Sequence, residues 1–207
     1  MKYSPTRLAE YEFMKHVLLE GTILDVGGGR KADYVRTLRV RGTVLSININ
    51  TDLDPTHVGD IMKKLPFKPK TFDAAISLNV FEHIRDIEAA LANVSVTLKP
   101  GARLYQATPF IYKVHGSPDD YYRYTDSALA FLYKRAGFSQ IQCYPLGEGM
   151  FHACASLIFG PLPKILRPFV MTFAAAMDKF FCAVIPRYKK VCGPSAYPVG
   201  YMAIATK

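Results

Sequence analysis

Residues 23–29 read Ile-Leu-Asp-Val-Gly-Gly-Gly, an apolar stretch typical of a β-strand that runs into three glycines. Glycine has no Cβ atom, so a ligand can approach the backbone of such a loop closely. Working outward, apolar strands alternate with helices. We predict helices at 4–19, 32–40, 86–98 and 125–136, and strands at 22–26, 43–49, 72–78, 102–108, 138–144 and 197–205. This alternation predicts a mostly parallel sheet with helices on both faces, which binds ligands at the carboxyl ends of its strands.

The run Gly27-Gly28-Gly29-Arg30-Lys31-Ala32 also fits the G-x-G-x-x-[GA] pattern of dinucleotide-binding loops. Two observations argue against NAD. Asp25 would place a negative charge near the pyrophosphate, and the position about 20 residues further on, where NAD sites carry an acid for the ribose, holds Asn48. A carboxylate at Asp25 suits a ligand with a cationic amino group instead. The remaining alternative is a tight turn in which Asp25 caps a helix.

Further segments follow in a fixed order: Val58-Gly59-Asp60-Ile61, Leu65-Pro66-Phe67 with Thr71-Phe72-Asp73, Val80-Phe81-Glu82-His83, and Lys99-Pro100-Gly101. Together with the glycine loop, they resemble the class I S-adenosylmethionine-dependent methyltransferases, in the small bacterial, methyltransferase-11-like type. The resemblance covers about residues 20–140. A later block, Pro109-Phe110 and then His115-x-x-Pro118-x-Asp120-Tyr121-x-Arg123-x-Thr125, resembles a bacterial subgroup found among sugar and natural-product pathways.

The resemblance implies the architecture of the whole chain. We expect a doubly wound, Rossmann-like, seven-stranded α/β sheet in a three-layer sandwich, with the last strand antiparallel and a helical insertion before it. The chain would form a single methyltransferase domain over 1–207. Its parts would be an N-terminal helix in 1–20, a cofactor-binding core in 21–145, an apolar and basic lid in 146–195, and the last strand in 196–207.

The resemblance also implies the cofactor, S-adenosyl-L-methionine, with S-adenosyl-L-homocysteine as its product. The residues implied to bind the cofactor follow successive strands: Asp25, Gly27, Gly28, Gly29, Asn48, Asp60, Ile61, Asn79 and Val80. Asp25 is implied to lie near the amino group, Asp60 near the adenine, and Asn79 with Val80 near the sulfonium. Asn48 stands where the family has an Asp or Glu for the ribose hydroxyls. An amide can still accept one hydrogen bond and donate another.

Methyl transfer requires alignment of the nucleophile and, where the nucleophile carries a proton, a base. His83 and His115 are the candidate catalytic residues, because the ordinary pKa of histidine lies near physiological pH. The candidate substrate-contacting residues are Asp120, Tyr121, Arg123 and His152. Structural alternatives stay open for several of them. His83 could be a hydrogen-bonded member of a Glu-His pair, Arg123 could pair with an Asp of its own loop, and Tyr121 could serve packing.

The positive charge of the chain is concentrated near its end. The chain carries a net charge of +9, and residues 161–207 contain seven basic residues against one acid, Asp178. This segment is also the most apolar. Two interpretations remain open: an amphipathic surface for an anionic membrane or a hydrophobic substrate, or core-packing helices with snorkelling Lys and Arg. We therefore predict a small-molecule acceptor, hydrophobic or lipid-linked, peripheral membrane contact through 150–190, and a monomer or homodimer.

Composition excludes several classes of protein. Half of the residues are hydrophobic and 21% are charged, which excludes general disorder. The four cysteines form no CxxC pair, so we predict no metal site and a reducing compartment. No apolar run reaches the ~18–20 residues of a membrane span, and we predict a cytoplasmic, membrane-peripheral protein. The position after the fourth strand lacks [DN]-P-P-[YFW], and the chain has no Pro-Cys dipeptide, so we expect no nucleic-acid partner.

The resemblance to this family implies S-adenosylmethionine-dependent methylation of a small molecule, most simply at oxygen, on a sugar, lipid-linked or secondary-metabolite acceptor. Two alternatives stay open. The first is a cofactor-binding or interaction protein without catalysis, which the departures at Asn48 and Lys31 suggest. The second is an enzyme that keeps the cofactor and carries out a non-methylating reaction.

Overall fold

The computed structural model describes residues 2–116 and 119–207, so Pro118 of the predicted loop motif lies outside the described residues. The strands are β1 Leu18–Val26, β2 Arg39–Asn48, β3 His57–Val58, β4 Phe72–Leu78, β5 Leu98–Pro109, β6 Ser139–Leu146 and β7 Gly200–Thr206. They form one sheet in the order β3-β2-β1-β4-β5-β7-β6. Neighbouring strands from β3 to β5 are parallel, whereas β7 runs antiparallel to both β5 and β6. The predicted doubly wound sheet with an antiparallel last strand is confirmed.

The helices are α1 Pro5–Met14, α2 Ile87–Thr97, α3 Asp126–Arg135, α4 Met150–Ile158, α5 Arg167–Val184 and α6 Tyr188–Cys192. Ser4 caps α1 by accepting a hydrogen bond from the backbone N of Arg7, and Pro5 occupies the first turn. The predicted end of this helix, near residue 20, is wrong. The helix stops at Met14 because Leu19 is already needed in β1, where it pairs with Val40.

The helix predicted at 32–40 is also wrong. The chain forms only a 3-10 turn at Asp33–Thr37, and β2 starts at Arg39. β-branched residues such as Val35 and Thr37 are poor helix formers. The tighter turn also brings the hydroxyl of Tyr34 back to the carboxylate of Asp25, at 2.6 Å.

Alternate residues of the strands face two separate hydrophobic cores. Leu24 and Ala75 face the core that contains α2 and α3, whereas Ile23 and Ile76 face the core that contains α1 and part of α4. This is the period-2 alternation of a sheet covered on both faces. The predicted three-layer sandwich follows from it, and the carboxyl ends of β1, β2, β4 and β5 meet at one edge.

The helices α4, α5 and α6 form the predicted insertion between β6 and β7. Its small core consists of Ala155, Phe159, Met171 and Ala174. Asp178 is fully buried there and accepts hydrogen bonds from the backbone N atoms of Phe151 and His152 and from the hydroxyl of Tyr188. Among the described residues, no helix combines the length and the apolar character needed to cross a bilayer.

Candidate functional site

The glycine loop at the end of β1 is held against the ends of two neighbouring strands. The backbone N of Gly27 donates to the carbonyl O of Ile47 in β2, at 2.7 Å. Gly27 has a φ of +78°, and a Cβ atom at this position would lie 2.4 Å from a methyl group of Val80, just beyond β4. Glycine is therefore required here, because other residues disfavour this positive φ and because a Cβ atom would collide with Val80. This packing brings two of the predicted cofactor segments together.

Asp25 is buried beneath the loop. One of its oxygens accepts the Tyr34 hydrogen bond, and a Cβ atom at Gly28 would lie 1.9 Å from the hydroxyl O of Tyr34 and 2.1 Å from Asp25 Oδ2. Burial raises the pKa of Asp25 to about 7, although the hydrogen bond from Tyr34 acts in the opposite direction. A buried carboxyl group with a raised pKa is suited to a cationic partner, because the partner's charge would stabilise the carboxylate. Tyr34 carries no motif signal, and sequence reasoning missed it.

Asn48, at the end of β2, uses its side chain within the protein. Its Nδ2 atom donates to the carbonyl O of Gly27 at 2.5 Å, and its Oδ1 atom accepts from the backbone N of Asn50 at 2.9 Å. The amide thus fixes the glycine loop to the turn after β2. An amide oxygen has two acceptor positions, so Oδ1 retains one for a ligand.

Asp60 and Ile61 form the turn after β3. Asp60 Oδ1 accepts from the backbone N of Met62 at 2.9 Å, and Ile61 is buried. Asn93 in α2 donates from Nδ2 to the carbonyl O of Ile61 at 3.1 Å and to that of Lys63 at 2.9 Å. The turn is therefore anchored from the helical layer.

Asn79 follows β4 and contacts the N-terminal helix. Its Nδ2 atom donates to Glu10 Oε2 at 2.6 Å, and Glu10 is fully buried. In the described part of the chain, Glu10 Oε1 has no hydrogen-bond partner, and burial raises the pKa of this residue to about 7. The sequence analysis missed Glu10. Helical spacing could have indicated it, because Thr6, Glu10 and Met14 recur every four residues on the buried face of α1.

Glu82, His83 and His115 form a compact cluster beside Asn79. Glu82 and His83 belong to the 3-10 turn Phe81–His83 after β4, and His115 follows β5. Glu82 Oε1 lies 3.7 Å from His83 Nε2, and the rings of His83 and His115 meet edge to face with centroids 4.9 Å apart. His83 Nδ1 lies 2.6 Å from the carbonyl O of Asp119. Burial raises the pKa of Glu82 to about 8.

The loop after β5 is held by Arg123. Its guanidinium donates to both carboxylate oxygens of Asp120, at 2.6 and 2.7 Å, and to the carbonyl O atoms of Tyr122 and Lys113. This pairing holds the pKa of Asp120 well below its usual range. Asp120 Oδ2 accepts from the backbone N of His115 at 2.8 Å and lies 3.1 Å from His115 Nδ1. The geometry thus favours the structural alternative for Arg123.

A cavity of about 200 Å³ opens at this edge of the sheet. Asn79, Tyr112 and His115 line it, together with the N-terminal segment from Lys2 to Arg7. Burial lowers the pKa of His115, the one predicted catalytic residue on the wall of this cavity in the described chain.

The predicted substrate-contacting residues do not converge on the cavity. In the ranges that the structure describes, its lining does not include Asp120, Tyr121, Arg123 or His152. Tyr121 is exposed, and its hydroxyl donates to Asp119. His152 lies in α4, where its backbone N is bound by Asp178 and burial lowers the pKa of its side chain.

Comparisons with known proteins agree with this arrangement. A family model described as a methyltransferase domain matches residues 24–106. No curated protein matches the chain by sequence. Phosphoethanolamine N-methyltransferase 2 from Haemonchus contortus, solved with S-adenosyl-L-methionine, is 16% identical over 97% of this chain and 51% of its own, with a TM-score of 0.60. This chain therefore spans about half the length of that protein.

Two other solved structures have more nearly the same size. A SAM-dependent methyltransferase from Thermotoga maritima is 15% identical over 97% of this chain and 88% of its own, with a TM-score of 0.60. The [4+2]-cyclase SpnF is 16% identical over 98% of this chain and 80% of its own, with a TM-score of 0.54. Likeness at this level of identity shows the shared fold. The segment 24–106, somewhat less than half of the chain, thus resembles a methyltransferase domain, and the whole chain shares the fold of these solved structures.

Proposed function

We propose that the chain binds S-adenosyl-L-methionine across the carboxyl ends of β1, β2 and β4 and transfers its methyl group to an oxygen of a small molecule. One observation carries this proposal most directly. Two buried carboxyl groups, Asp25 and Glu10, lie at this edge of the sheet, and Glu10 Oε1 has no partner among the described residues. Buried acids require a cationic or hydrogen-bonding partner. The ammonium and sulfonium groups of the cofactor supply two positive charges.

The other cofactor contacts are assigned by position. Asp25 and the glycine loop would receive the methionine portion, and the free acceptor position of Asn48 Oδ1 would receive a ribose hydroxyl. Asp60 would accept from the adenine amino group, with Ile61 against the ring. These assignments are supported by the hydrogen bonds that hold the three turns next to one another.

The bound cofactor would supply an electrophilic methyl group, which passes to the acceptor and leaves S-adenosyl-L-homocysteine. The chain must align the acceptor and exclude water. We assign both tasks to the cavity between the N-terminal segment and the loop after β5. His115 lines this cavity and would face the reacting hydroxyl group, and His83 packs edge to face against the ring of His115 and would support it from behind. Asp120 and Arg123 would act by positioning His115.

The acceptor is proposed to be a sugar, a secondary metabolite or a lipid-linked molecule, and the insertion favours the last class. Phe169, Phe173, Phe180 and Val184 form an exposed apolar stripe along α5. The same stretch of chain carries several basic residues, Arg167 and Lys179 in α5 and Arg187, Lys189 and Lys190 just after it. Apolar side chains with basic neighbours suit the surface of an anionic bilayer. We therefore propose peripheral membrane contact through this helix.

A second candidate is a cofactor-binding protein that catalyses a non-methylating reaction. Two observations favour it: the similarity to a [4+2]-cyclase, and the use of the Asn48 side chain within the loop. A fold of this kind hosts many reactions, so only product analysis separates the two candidates. Transfer of a labelled methyl group from the cofactor to an acceptor would support methylation. Acceptor turnover without such transfer would support the alternative.

Calorimetric titration tests the cofactor. Wild-type protein is expected to bind S-adenosyl-L-methionine with micromolar affinity and to give no heat with NAD. Asp60→Ala should weaken this binding roughly tenfold, as the loss of one hydrogen bond to a charged group predicts. Asp52→Ala, on the exposed turn between β2 and β3, is the matched control and should bind like the wild type. Absence of binding by the wild-type protein, or binding of NAD, would overturn the proposal.

A further inference from the structure

The cluster of Glu82, His83 and His115 has the composition of a metal site. Each residue offers one ligand atom, and the three atoms lie within 4.8 Å of one another. We propose that these side chains bind one divalent first-row transition-metal ion. The ligands come from two segments that are far apart in sequence and meet only in the fold. The prediction of no metal site rested on the spacing of the cysteines, which carries no information about this cluster.

The separation of the Glu82 and His83 ligand atoms fits a shared ion. Zinc and related ions bind imidazole nitrogen and carboxylate oxygen at about 2.0–2.2 Å. Glu82 Oε1 and His83 Nε2 are 3.7 Å apart. Two ligands at that separation subtend roughly 120° at an ion 2.1 Å from each, which lies close to tetrahedral geometry.

The carboxylate is buried without a partner. Glu82 is fully buried, and within the described ranges its Oε1 atom accepts no hydrogen bond. Its other oxygen, Oε2, accepts one long hydrogen bond, of 3.4 Å, from the hydroxyl of Thr108. A buried carboxyl oxygen without a hydrogen-bond partner is rare in proteins and requires an explanation. A bound metal ion would explain it, because the ion would compensate the buried carboxylate.

Both histidines are oriented by groups outside the cluster. The carbonyl O of Asp119 accepts a hydrogen bond from Nδ1–H of His83, which leaves the lone pair on Nε2, 3.7 Å from Glu82 Oε1. Metal-bound histidines almost always have such a partner on the second nitrogen. His115 is held through its backbone N by Asp120, which Arg123 fixes in turn. Its buried Nδ1 lies 3.1 Å from Asp120 but is not aligned for a hydrogen bond to any described residue.

The ligand set indicates the class of metal and its use. Two imidazoles and one carboxylate favour Zn²⁺, Fe²⁺ or Co²⁺ over Mg²⁺ and Ca²⁺, which prefer oxygen ligands alone. Three protein ligands leave a coordination position open, as in catalytic zinc sites. His115 also lines the cavity, so that position would face the acceptor and would orient its oxygen. This use rests on the proposed function, whereas metal binding itself does not.

Metal binding can be measured without any acceptor. Purified full-length protein is treated with a chelator, dialysed, and titrated with Zn²⁺ by calorimetry and with Co²⁺ by visible absorption. We expect one ion per chain. Glu82→Gln, His83→Asn and His115→Asn should each weaken binding by at least about 100-fold, since loss of a partner outside the ligand shell already costs 10–100-fold. His16→Asn, on an exposed histidine, is the control and should bind like the wild type.

The same titrations can overturn the proposal. It fails if the wild type binds no stoichiometric ion, or if the three variants retain wild-type affinity. It also fails if the Co²⁺ spectrum contains thiolate charge-transfer bands, because the ion would then be bound by cysteines. Glu82→Gln keeps the size of the side chain and removes the carboxylate ligand, and thermal unfolding of the metal-free variants checks that they fold. Titration of metal-free protein with S-adenosyl-L-methionine tests the proposed function separately.

Discussion

The side-chain amide of Asn79 donates a 2.6 Å hydrogen bond to Glu10, and this bond joins the N-terminal helix to the end of β4. Asn79 has a φ of +56°, a conformation that Asn tolerates better than most residues. Glu10 is fully buried on the opposite side of the contact. The helix is therefore part of the candidate site rather than an appendage to the sheet.

Replacement of Glu10 by Gln should stabilise the protein, and more at high pH. The folded pKa of Glu10 is about 7, above its ordinary value of 4.5, so the folded state retains a proton that the unfolded state releases. Ionisation of Glu10 therefore does not lower the free energy of unfolding of the wild type below pH 4.5, and it lowers it by the full amount above pH 7. Glu10→Gln should therefore raise the free energy of unfolding by about 2 kcal/mol more at pH 8 than at pH 5. Urea unfolding at both pH values measures the difference.

Glu12→Gln is the matched control on the same helix. Glu12 is exposed and pairs with Lys15 at the surface, so this change should leave the pH dependence of unfolding unaltered. Asp25 also has a raised pKa, but Glu10 does not contribute to it, so Asp25 cancels in the comparison. Glu10 contributes to the raised pKa of Glu82, so Glu10→Gln should also ease the ionisation of Glu82, which acts in the same direction. Equal stabilisation by Glu10→Gln at both pH values would contradict the assignment of a raised pKa.

Replacement of Gly28 by Ala should disrupt the glycine loop. The added methyl group would collide with the Tyr34 hydroxyl and the Asp25 carboxylate, both within 2.1 Å. Overpacking of this kind typically costs about 1–3 kcal/mol. Thermal unfolding should show a lower midpoint, and calorimetry should show weaker binding of S-adenosyl-L-methionine. Gly160→Ala is the control, because nothing lies within 4 Å of its added methyl group. Wild-type stability in Gly28→Ala would show that the loop rearranges freely.

The cofactor affinity should increase with pH because of Asp25. Its pKa of about 7 in the free protein would fall when a cationic ammonium group binds beside it. Binding would then release a proton, so affinity should rise as the pH increases from 6 to 7.5. Titrations in two buffers with different ionisation enthalpies measure the number of protons released. Asp25→Asn should abolish this dependence. An unchanged proton count in that variant would assign the titration to another group, such as Glu10.

The sheet could be predicted from sequence because its signals are local. Ile-Leu-Asp-Val at the end of β1 and the apolar run of β4 are strands by their own composition, and the structure confirms both. The helix predicted after the glycine loop was wrong because the decisive interaction, Tyr34 with Asp25, depends on where the chain returns after the loop. Local periodicity carries no information about that contact.

The candidate site was predictable only in part, for a related reason. The segments proposed to bind the cofactor carry motifs, so the resemblance assigns them residue by residue. The partnership of Glu10 with Asn79, by contrast, spans 69 positions and has no motif. The loop after β5 shows a third case. Its Asp120 and Arg123 have the chemistry of substrate contacts, but their charges are used on each other at 2.6 Å.

Replacement of Asp178 by Ala should loosen the insertion while the sheet stays folded. The carboxylate accepts two backbone hydrogen bonds at the start of α4 and a third from Tyr188 at 2.7 Å. Loss of a buried acceptor with charge-assisted bonds leaves its donors unpaired, at a cost of about 3 kcal/mol or more. Limited proteolysis should cut the variant first within residues 150–192. Tyr188→Phe removes one bond and should have a smaller effect. Proteolysis that starts within the sheet would contradict the prediction that the insertion loosens while the sheet stays folded.

The exposed stripe on α5 should bind anionic vesicles. Phe169 and Phe173 are 70% and 66% exposed, and Arg167 and Lys179 lie on the same helix. Apolar insertion and attraction to anionic headgroups act together at such a surface. The protein should sediment with phosphatidylserine-containing vesicles, less with neutral ones, and less at high salt.

Phe169→Glu combined with Phe173→Glu should abolish this binding, because two acids replace the apolar anchors. Phe131→Glu is the matched control, since Phe131 is 59% exposed but belongs to α3. A different result would contradict membrane binding: the wild type does not sediment with vesicles and migrates as a dimer, whereas the double variant migrates as a monomer. The stripe would then be an interface between two copies of the chain. The basic residues in and just after α5 favour the membrane, because two copies in contact would bring like charges together.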